Sequence, residues 1–488
     1  MYLQKYTQRY GKDIVSIKFG VTLSAAVVIL LLCVPFLHAG ETYNPGDKEP
    51  VLTFGAGMRL RYEFQNNFNQ KYYGDDPAEG TANDGFLLGR FRAGLDWNPT
   101  DKLHIALWGQ HAVTWDANLP DSAFYSGTFR TDNNPNKDYW ELYTTYIELK
   151  DLFDAGLSIT AGRQLITYGN CRIFGPGEWG NTGRWIWDAV KVTWQFDRGF
   201  MDVFYGQTML HEVRRFSIKH RHGFAGAGFY GHVELVRTPF LIALEPTAFT
   251  KYDGHNNYTG EKKAYTRRPD GARVWFKKTG DIDSWYAGGR LYGQNIYGFD
   301  FDCTFLQEQG DFARDDLSAC GYHVMVGYHL KVPGKPFFTL EYSYASGDSN
   351  PEDGDHETFQ GAFGARDKMY GRMNLFHWRN LRDIEASVGL QPLKGLKVKI
   401  SYHKFLLAER KDAWYLNSKA YRDPTGRSGD DVGREFDIVA QYKHSNRTII
   451  MAGFGHFRPD AFAKATASSK NANWFFLQWE FLFSVALL

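Results

Sequence analysis

Long apolar runs are scarce in this sequence of 488 residues. One run spans residues 21–37 and is interrupted by Pro35. Beyond it, no stretch approaches the roughly 20 apolar residues that a transmembrane helix needs. An excess of charge of one sign is also absent, because 56 Lys and Arg nearly balance 55 Asp and Glu and leave a formal net charge of +1. This balance argues against nucleic acid as the main partner. Because no apolar stretch of that length follows residue 39, any membrane span beyond that residue must be built from strands.

Cysteine is too rare for a disulfide framework. The chain has four, of which Cys33 lies in the apolar N-terminal run and three remain, an odd number. Cys303 and Cys320 fall on neighbouring predicted strands, where a hairpin folded midway between them would set them opposite each other. The polar stretch 307–316 offers several turn positions, however, and a slip of one residue moves a side chain to the other face. A disulfide and two free thiols are both open alternatives, and Cys171 is unassigned.

The first 39 residues have the layout of an export signal. Four basic residues precede the apolar run: Lys5, Arg9, Lys12 and Lys18. Small residues, Ala39 and Gly40, follow it, as at a signal cleavage site. We therefore expect a signal peptide over residues 1–39 and one domain over 40–488. An uncleaved anchor helix is the alternative.

Aromatic residues and glycine, by contrast, are abundant. The chain contains 38 Phe, 29 Tyr and 14 Trp, together 17% of its residues, and 50 Gly. This aromatic load excludes intrinsic disorder. The proportions are typical of a β-barrel.

The dominant pattern is an alternation of apolar and polar residues over about ten positions, followed by a cluster of Gly, Asn, Asp or Pro. In the first such segment the apolar face holds Met58, Leu60, Tyr62 and Phe64. Short turns, such as 197–198, alternate with long polar loops, such as 116–139 and 346–366. A soluble sandwich would also alternate, but the long strands and aromatic strand ends favour a membrane barrel. The prediction is an all-β fold: a single transmembrane antiparallel β-barrel of about 18 strands with long extracellular loops.

Basic residues recur on the polar faces of the predicted strands. They are Arg59, Arg61, Arg90, Arg92, Lys191, Lys397 and Lys399. Because alternate residues share one face of a strand, these side chains are expected to point into the barrel. There they could pair with the carboxylates of a polyanionic chain, which leaves bulk water as it crosses a pore. The alternative is that any water-filled barrel carries charged residues inside.

Several blocks of the sequence resemble the alginate-export family of bacterial outer-membrane barrels. The segment 161–194 begins A-G-R-Q-L-I-T-Y-G and follows an aromatic-acidic strand at 139–149. Two later blocks, S-Y-H-K-F at 401–405 and G-R-E-F-D-I-V-A-Q-Y at 433–442, are followed by F-R-P-D at 457–460. These blocks resemble the family in their order, and the resemblance covers most of the chain beyond the signal.

The resemblance implies a monomeric channel in the outer membrane that exports an anionic exopolysaccharide, alginate or an alginate-like polyuronate. By motif, Arg163 corresponds to a lumen or rim position, Arg59 and Glu63 to inward positions of the first strand, and Glu141 to an acidic residue before G-R-Q. It allows a periplasmic polysaccharide-secretion scaffold as a partner beside the lipid bilayer. Trp140 and the displaced Arg372 and Arg379 depart from the family pattern.

Two other functions stay open at this stage: a general or solute-specific diffusion porin, and an outer-membrane enzyme. The enzyme is disfavoured because no combination of nucleophile, base and orienting group appears. The sequence does not separate an exporter from a porin.

One acidic cluster could hold a metal ion. Glu352, Asp353, Asp355 and Glu357 surround Gly354 in a predicted outer loop. Carboxylate oxygens are the ligands that Ca²⁺ prefers. Calcium is therefore one expectation and a solvated acidic loop is the other, and no further cofactor is expected.

Overall fold

The computed structural model describes residues 51–487, except 70–71, 75–82, 127–130, 178, 217–221, 254–260, 268–272, 279, 351, 366–368 and 417–419. The predicted signal peptide lies outside the described residues. Within them, no helix is long and apolar enough to cross a bilayer.

Eighteen long strands form one antiparallel sheet that closes on itself, as predicted. Closure is direct, because β1 pairs with β2 on one side and with the last strand, β18, on the other. The strands are β1 Val51–Asn66, β2 Asp84–Thr100, β3 Leu103–Trp115, β4 Asp138–Leu152, β5 Leu157–Leu165, β6 Ile186–Phe196, β7 Gly199–Met209, β8 His222–Val236, β9 Leu241–Tyr252, β10 Ile282–Ile296, β11 Phe299–Phe312, β12 Asp315–His329, β13 Phe337–Ala345, β14 Leu381–Leu393, β15 Leu396–Leu406, β16 Asp431–Lys443, β17 Thr448–Pro459 and β18 Ala472–Ala486.

The alternation in sequence becomes an inside and an outside. In β7, the outward Val203 and Tyr205 are 59% and 64% exposed, whereas the inward Asp202 and Phe204 are buried. Apolar side chains on the outer face suit lipid, and closure lets every strand satisfy its backbone groups within the sheet.

Connections are short at one end of the barrel and long at the other. The turn between β11 and β12 is an exception, because it is short and lies at the long-loop end. Phe312 pairs with Asp315 there, so that Cys303 faces Val324 and Cys320 faces Gln307. Both thiols are free. The disulfide alternative is therefore wrong, because the hairpin turns at residues 313–314 instead of midway between the two cysteines.

The long connections carry small elements of their own. These are a 3₁₀ helix at Asp121–Phe124, an α-helix at Ala461–Thr466, and short strands at Tyr125–Ser126, Thr131–Asp132, Glu261–Arg267, Arg273–Lys278, Asp355–His356, Ala413–Tyr415 and Ala420–Arg422.

Two connections fold back into the barrel over their described residues: 166–185 without 178 (the first lumen segment) and 346–380 without 351 and 366–368 (the second lumen segment). Phe174 and Phe363, one from each, form a β-bridge and stack with ring centroids 5.7 Å apart. Phe174 also contacts the inward Phe249, and Phe363 contacts the inward Trp187, each at 4.7 Å. The barrel interior near the long-loop end is therefore an aromatic core. The predicted loop at 346–366 in fact extends to residue 380.

Candidate functional site

The basic residues of β1 point into the barrel and hold the first lumen segment. Arg59 Nη2 donates to the carbonyl of Gly180 at 3.1 Å and to Asn181 Oδ1 at 3.2 Å. Arg61 Nη2 donates to the carbonyl of Trp179 at 2.6 Å, and its guanidinium lies 3.8 Å from the centre of that indole ring. Both arginines are buried. They therefore position a loop inside the barrel in addition to lining it.

The other predicted residues of β1 and β2 also face inward. Glu63 pairs with Arg61 at 2.8 Å. Arg90 pairs with Glu480 of β18 at 3.3 Å. Arg92 Nε donates to Gln110 Oε1 at 2.7 Å. Glu63 and Arg90 thus have partners of opposite charge that partly cancel their field in the lumen, whereas the amide of Gln110 carries no charge to offset that of Arg92.

The predicted lysines lie lower in the barrel, toward the short-turn end. Lys191 pairs with Asp202 at 3.1 Å, and Lys399 pairs with Glu385 at 2.7 Å. Lys397 precedes Lys399 on the same face of β15 and is exposed. The inward alternation places all three in the lumen, with two of them neutralised by inward carboxylates.

Arg163 does not face the lumen. Arg163 pairs with Asp188, two positions along from the pair of Ala161 and Val190, which are exposed on the outer surface. Residues two positions apart on a strand share a face, so Arg163 lies on the outer face as well. The guanidinium binds both carboxylate oxygens of Asp188, at 2.7 and 2.9 Å, and donates to the carbonyl of Leu142. The motif predicted a lumen or a rim position, and the structure places Arg163 at the outer rim. Arg163 is buried, so the pairing neutralises a charge that is shielded from solvent.

Glu141 lies inside the long-loop end in a buried group with Asp138 and His211. His211 Nδ1 is 3.2 Å from Glu141 Oε2 and 3.4 Å from Asp138 Oδ2, and its Nε2 donates to the carbonyl of Gly183 at 2.8 Å. Burial lowers the pKa of His211, but the two carboxylates outweigh it and raise this pKa to about 10. Neither Asp138 nor His211 was singled out from the sequence.

The acidic residues predicted to hold Ca²⁺ lie on the second lumen segment and are exposed: Glu352, Asp353, Asp355 and Glu357. Glu357 Oε2 accepts hydrogen bonds from Ser349 N and Oγ, and Asp353 Oδ1 accepts one from Asp355 N. Their carboxylates bind their own loop, and calcium at this position stays a prediction.

A cationic pocket lies where the two lumen segments meet the barrel wall. Four charged residues line it: Arg172, Arg184, Lys251 and Arg379. Trp185, Tyr370 and Trp378 supply aromatic walls. We call this site the cationic pocket.

Two of these cations are almost completely buried. Arg172 is 4% exposed and Lys251 is 3% exposed. Arg172 contacts Tyr370 Oη at 3.1 Å, Ser343 Oγ and His323 Nε2, all uncharged or weakly basic partners. Lys251 Nζ donates to the carbonyl of Gly361 at 3.1 Å and lies over aromatic rings. Among the described residues, neither cation has a carboxylate within ion-pair distance.

Arg172 keeps its charge despite this burial. Burial lowers its pKa, but Tyr370, Glu341 and Asp302 nearby raise the pKa above the ordinary value overall. A buried cation without a paired anion is costly unless a ligand supplies the anion. The pocket is therefore suited to binding a carboxylate.

Sequence reasoning missed both lumen segments and the pocket. A signal was present, because the second lumen segment carries Phe359, Phe363, Phe376 and Trp378, an aromatic content that a solvated loop does not need. Lys251 follows the inward Phe249 by two residues in β9, so the alternation alone could have placed it inside.

Comparison with known proteins agrees with this architecture. Residues 51–476 match the family model for alginate export. No curated protein matches the chain.

Several solved outer-membrane proteins share the fold at low sequence identity. OprD from Pseudomonas aeruginosa is 11% identical with a TM-score of 0.52, covering 90% of this chain and 94% of that chain. OccAB1 of Acinetobacter baumannii is 9% identical with a TM-score of 0.54, covering 90% and 97%. Pseudomonas aeruginosa OpdK, solved with vanillate, is 10% identical with a TM-score of 0.53, covering 88% and 98%. With a family match over nearly all of the barrel, the chain belongs to the alginate export family and is a β-barrel channel of the bacterial outer membrane.

Proposed function

We propose that this channel exports an anionic exopolysaccharide, alginate or an alginate-like polyuronate, and performs no covalent chemistry. The observation that carries the proposal is the cationic pocket, in which Arg172 and Lys251 are buried without a carboxylate partner. Family membership supports the same substrate class.

A polyuronate offers what the pocket requires. Each sugar carries a carboxylate, and an arginine can bind a carboxylate through two parallel hydrogen bonds. Arg379 lies 4.0 Å from the ring centre of Tyr415, and Arg184 lies 4.6 Å from that of Trp185. Flat aromatic faces beside the cations give the apolar side of a sugar ring a surface to pack on.

Charge elsewhere in the lumen is more balanced. Lys191, Lys399 and Arg90 are paired with wall carboxylates. The cationic pocket is therefore one strong source of positive potential, beside Arg59 and Arg92, which donate to uncharged acceptors, and it would act as the selective step. Paired charges along the remaining path would let a polyanion slide without being trapped.

A second candidate is a solute-specific porin for small anions. The lumen segments support it, because their aromatic core fills the barrel at the long-loop end and a polymer would have to displace part of it. OpdK, which shares the fold, was solved with vanillate, a small aromatic carboxylate. A pocket with both cations and aromatic rings suits that class of solute as well.

Reversal potential under a salt gradient tests the proposed selectivity. The purified barrel in a planar bilayer should prefer anions, and the double variant Lys251→Gln with Arg379→Gln should lose most of that preference. Lys331→Gln with Lys335→Gln, which removes two exposed charges in the turn after β12, is the matched control and should retain it. Cation preference in the unmodified chain would contradict the proposal. Block of the channel current by oligouronates distinguishes an exporter from a porin. The block should become stronger with the length of the oligouronate only in an exporter.

A further inference from the structure

The buried group of Asp138, Glu141 and His211 has the composition of a metal site. One ligand atom from each residue can be chosen so that all three lie within 4.8 Å of one another. All three side chains are at most 5% exposed. The group lies at the inner face of β4, apart from the cationic pocket.

The separations within the group fit a small ion. A Zn²⁺ ion takes nitrogen and oxygen ligands at about 2.0–2.2 Å, so ligand atoms at tetrahedral corners lie about 3.4 Å apart. His211 Nδ1 is 3.2 Å from Glu141 Oε2 and 3.4 Å from Asp138 Oδ2. Three protein ligands would leave one position for water, as in open zinc sites.

The surroundings of the group point to a ligand independently of its composition. His211 Nε2 donates to the carbonyl of Gly183, which turns Nδ1 toward the carboxylates, and metal-binding histidines are held in the same way. Glu141 Oε1 accepts from Glu212 N at 2.7 Å, and Asp138 Oδ2 accepts from Gln110 Nε2 at 2.7 Å. The remaining oxygen, Asp138 Oδ1, is buried and accepts no hydrogen bond from any described residue.

We propose that Asp138, Glu141 and His211 bind a divalent transition-metal ion of the Zn²⁺ class. The imidazole nitrogen selects against Ca²⁺ and Mg²⁺, which prefer oxygen ligands alone. Such an ion would join the barrel wall at β4 to residues 210–216, which follow β7. The ion would also hold the first lumen segment in place, because His211 donates to the carbonyl of Gly183 and Gln110 donates to the carbonyl of Thr182 at 2.9 Å.

Zinc binding by the purified full chain tests the proposal. The barrel in detergent is stripped with EDTA, freed of the chelator, and titrated with Zn²⁺ against a chromophoric competitor. We expect one Zn²⁺ per chain, with affinity reduced at least tenfold in His211→Ala and in Glu141→Gln. Co²⁺ in place of Zn²⁺ should give visible absorption bands that His211→Ala abolishes. Glu141→Gln preserves side-chain shape and supplies the test if His211→Ala does not fold.

His104→Ala is the matched control. His104 also lies between two carboxylates, but Asp96 contacts its Nε2 and Glu148 contacts its Nδ1, so the two cannot converge on one ion. This variant should bind Zn²⁺ as the unmodified chain does. Zinc-free protein after titration, equal affinity in the His211 and Glu141 variants, or displacement of Zn²⁺ by excess Ca²⁺ would each overturn the assignment.

Discussion

Replacing Lys251 by glutamine removes one buried cation of the cationic pocket and little else. The glutamine amide can still donate to the carbonyl of Gly361, the hydrogen-bond acceptor of the lysine. A hydrogen bond to a charged group contributes about 1.5–3 kcal/mol. Since 1.4 kcal/mol is about tenfold in affinity, Lys251→Gln should weaken the block by oligouronates about 10- to 100-fold.

Stability should respond in the opposite sense. Lys251 has no carboxylate at ion-pair distance among the described residues and interacts with the buried Glu308 over a longer distance, so its replacement removes a buried charge that is only partly compensated. The variant should therefore be as resistant to thermal unfolding as the unmodified chain, or more so. The assay is single-channel current with oligouronates added on the long-loop side, with Lys331→Gln as control. Unchanged block, or a large loss of stability, would show that Lys251 serves the fold and not a ligand.

Three further predictions concern the barrel and its loops. Val203→Arg places a charge on the lipid face and should destabilise the barrel by about 2–4 kcal/mol if the site lies near the bilayer midplane. Unfolding in lipid vesicles measures this change. A neutral result would mean that the faces are reversed. Phe363→Ala removes a ring from the aromatic core between the lumen segments. The resulting cavity should lower the free energy of unfolding by about 3–5 kcal/mol and raise single-channel conductance. Unaltered conductance would mean that the core does not obstruct the path. If the acidic loop binds Ca²⁺, the ion should slow proteolysis within 346–366, and cutting at the same rate with and without Ca²⁺ would argue for a solvated loop.

The barrel was predictable because a membrane strand has only two environments. Side chains alternate between lipid and lumen, so a period of two residues in the sequence maps directly onto the wall, as it does for Arg59 and Leu60 in β1. Strand number followed from counting these segments.

The lumen could not be predicted in the same way. Phe174 and Phe363 meet from connections far apart in sequence, and no period links them. For Arg163 the motif left a lumen or a rim position open, and the local register beside Gly162 decides between them. The group at Asp138, Glu141 and His211 likewise depends on one strand, β4, meeting the connection after β7 at one end of the barrel.

Release of polymer from proteoliposomes tests the central claim most directly. Vesicles containing the purified barrel are loaded with a fluorescent polyuronate and with a neutral polysaccharide of the same hydrodynamic size, and the escape of each is followed. We expect the polyuronate to be released and the neutral polymer to be retained, with release slowed in Lys251→Gln. Retention of both polymers while small carboxylates equilibrate freely would contradict export and assign the chain to the solute-specific porins.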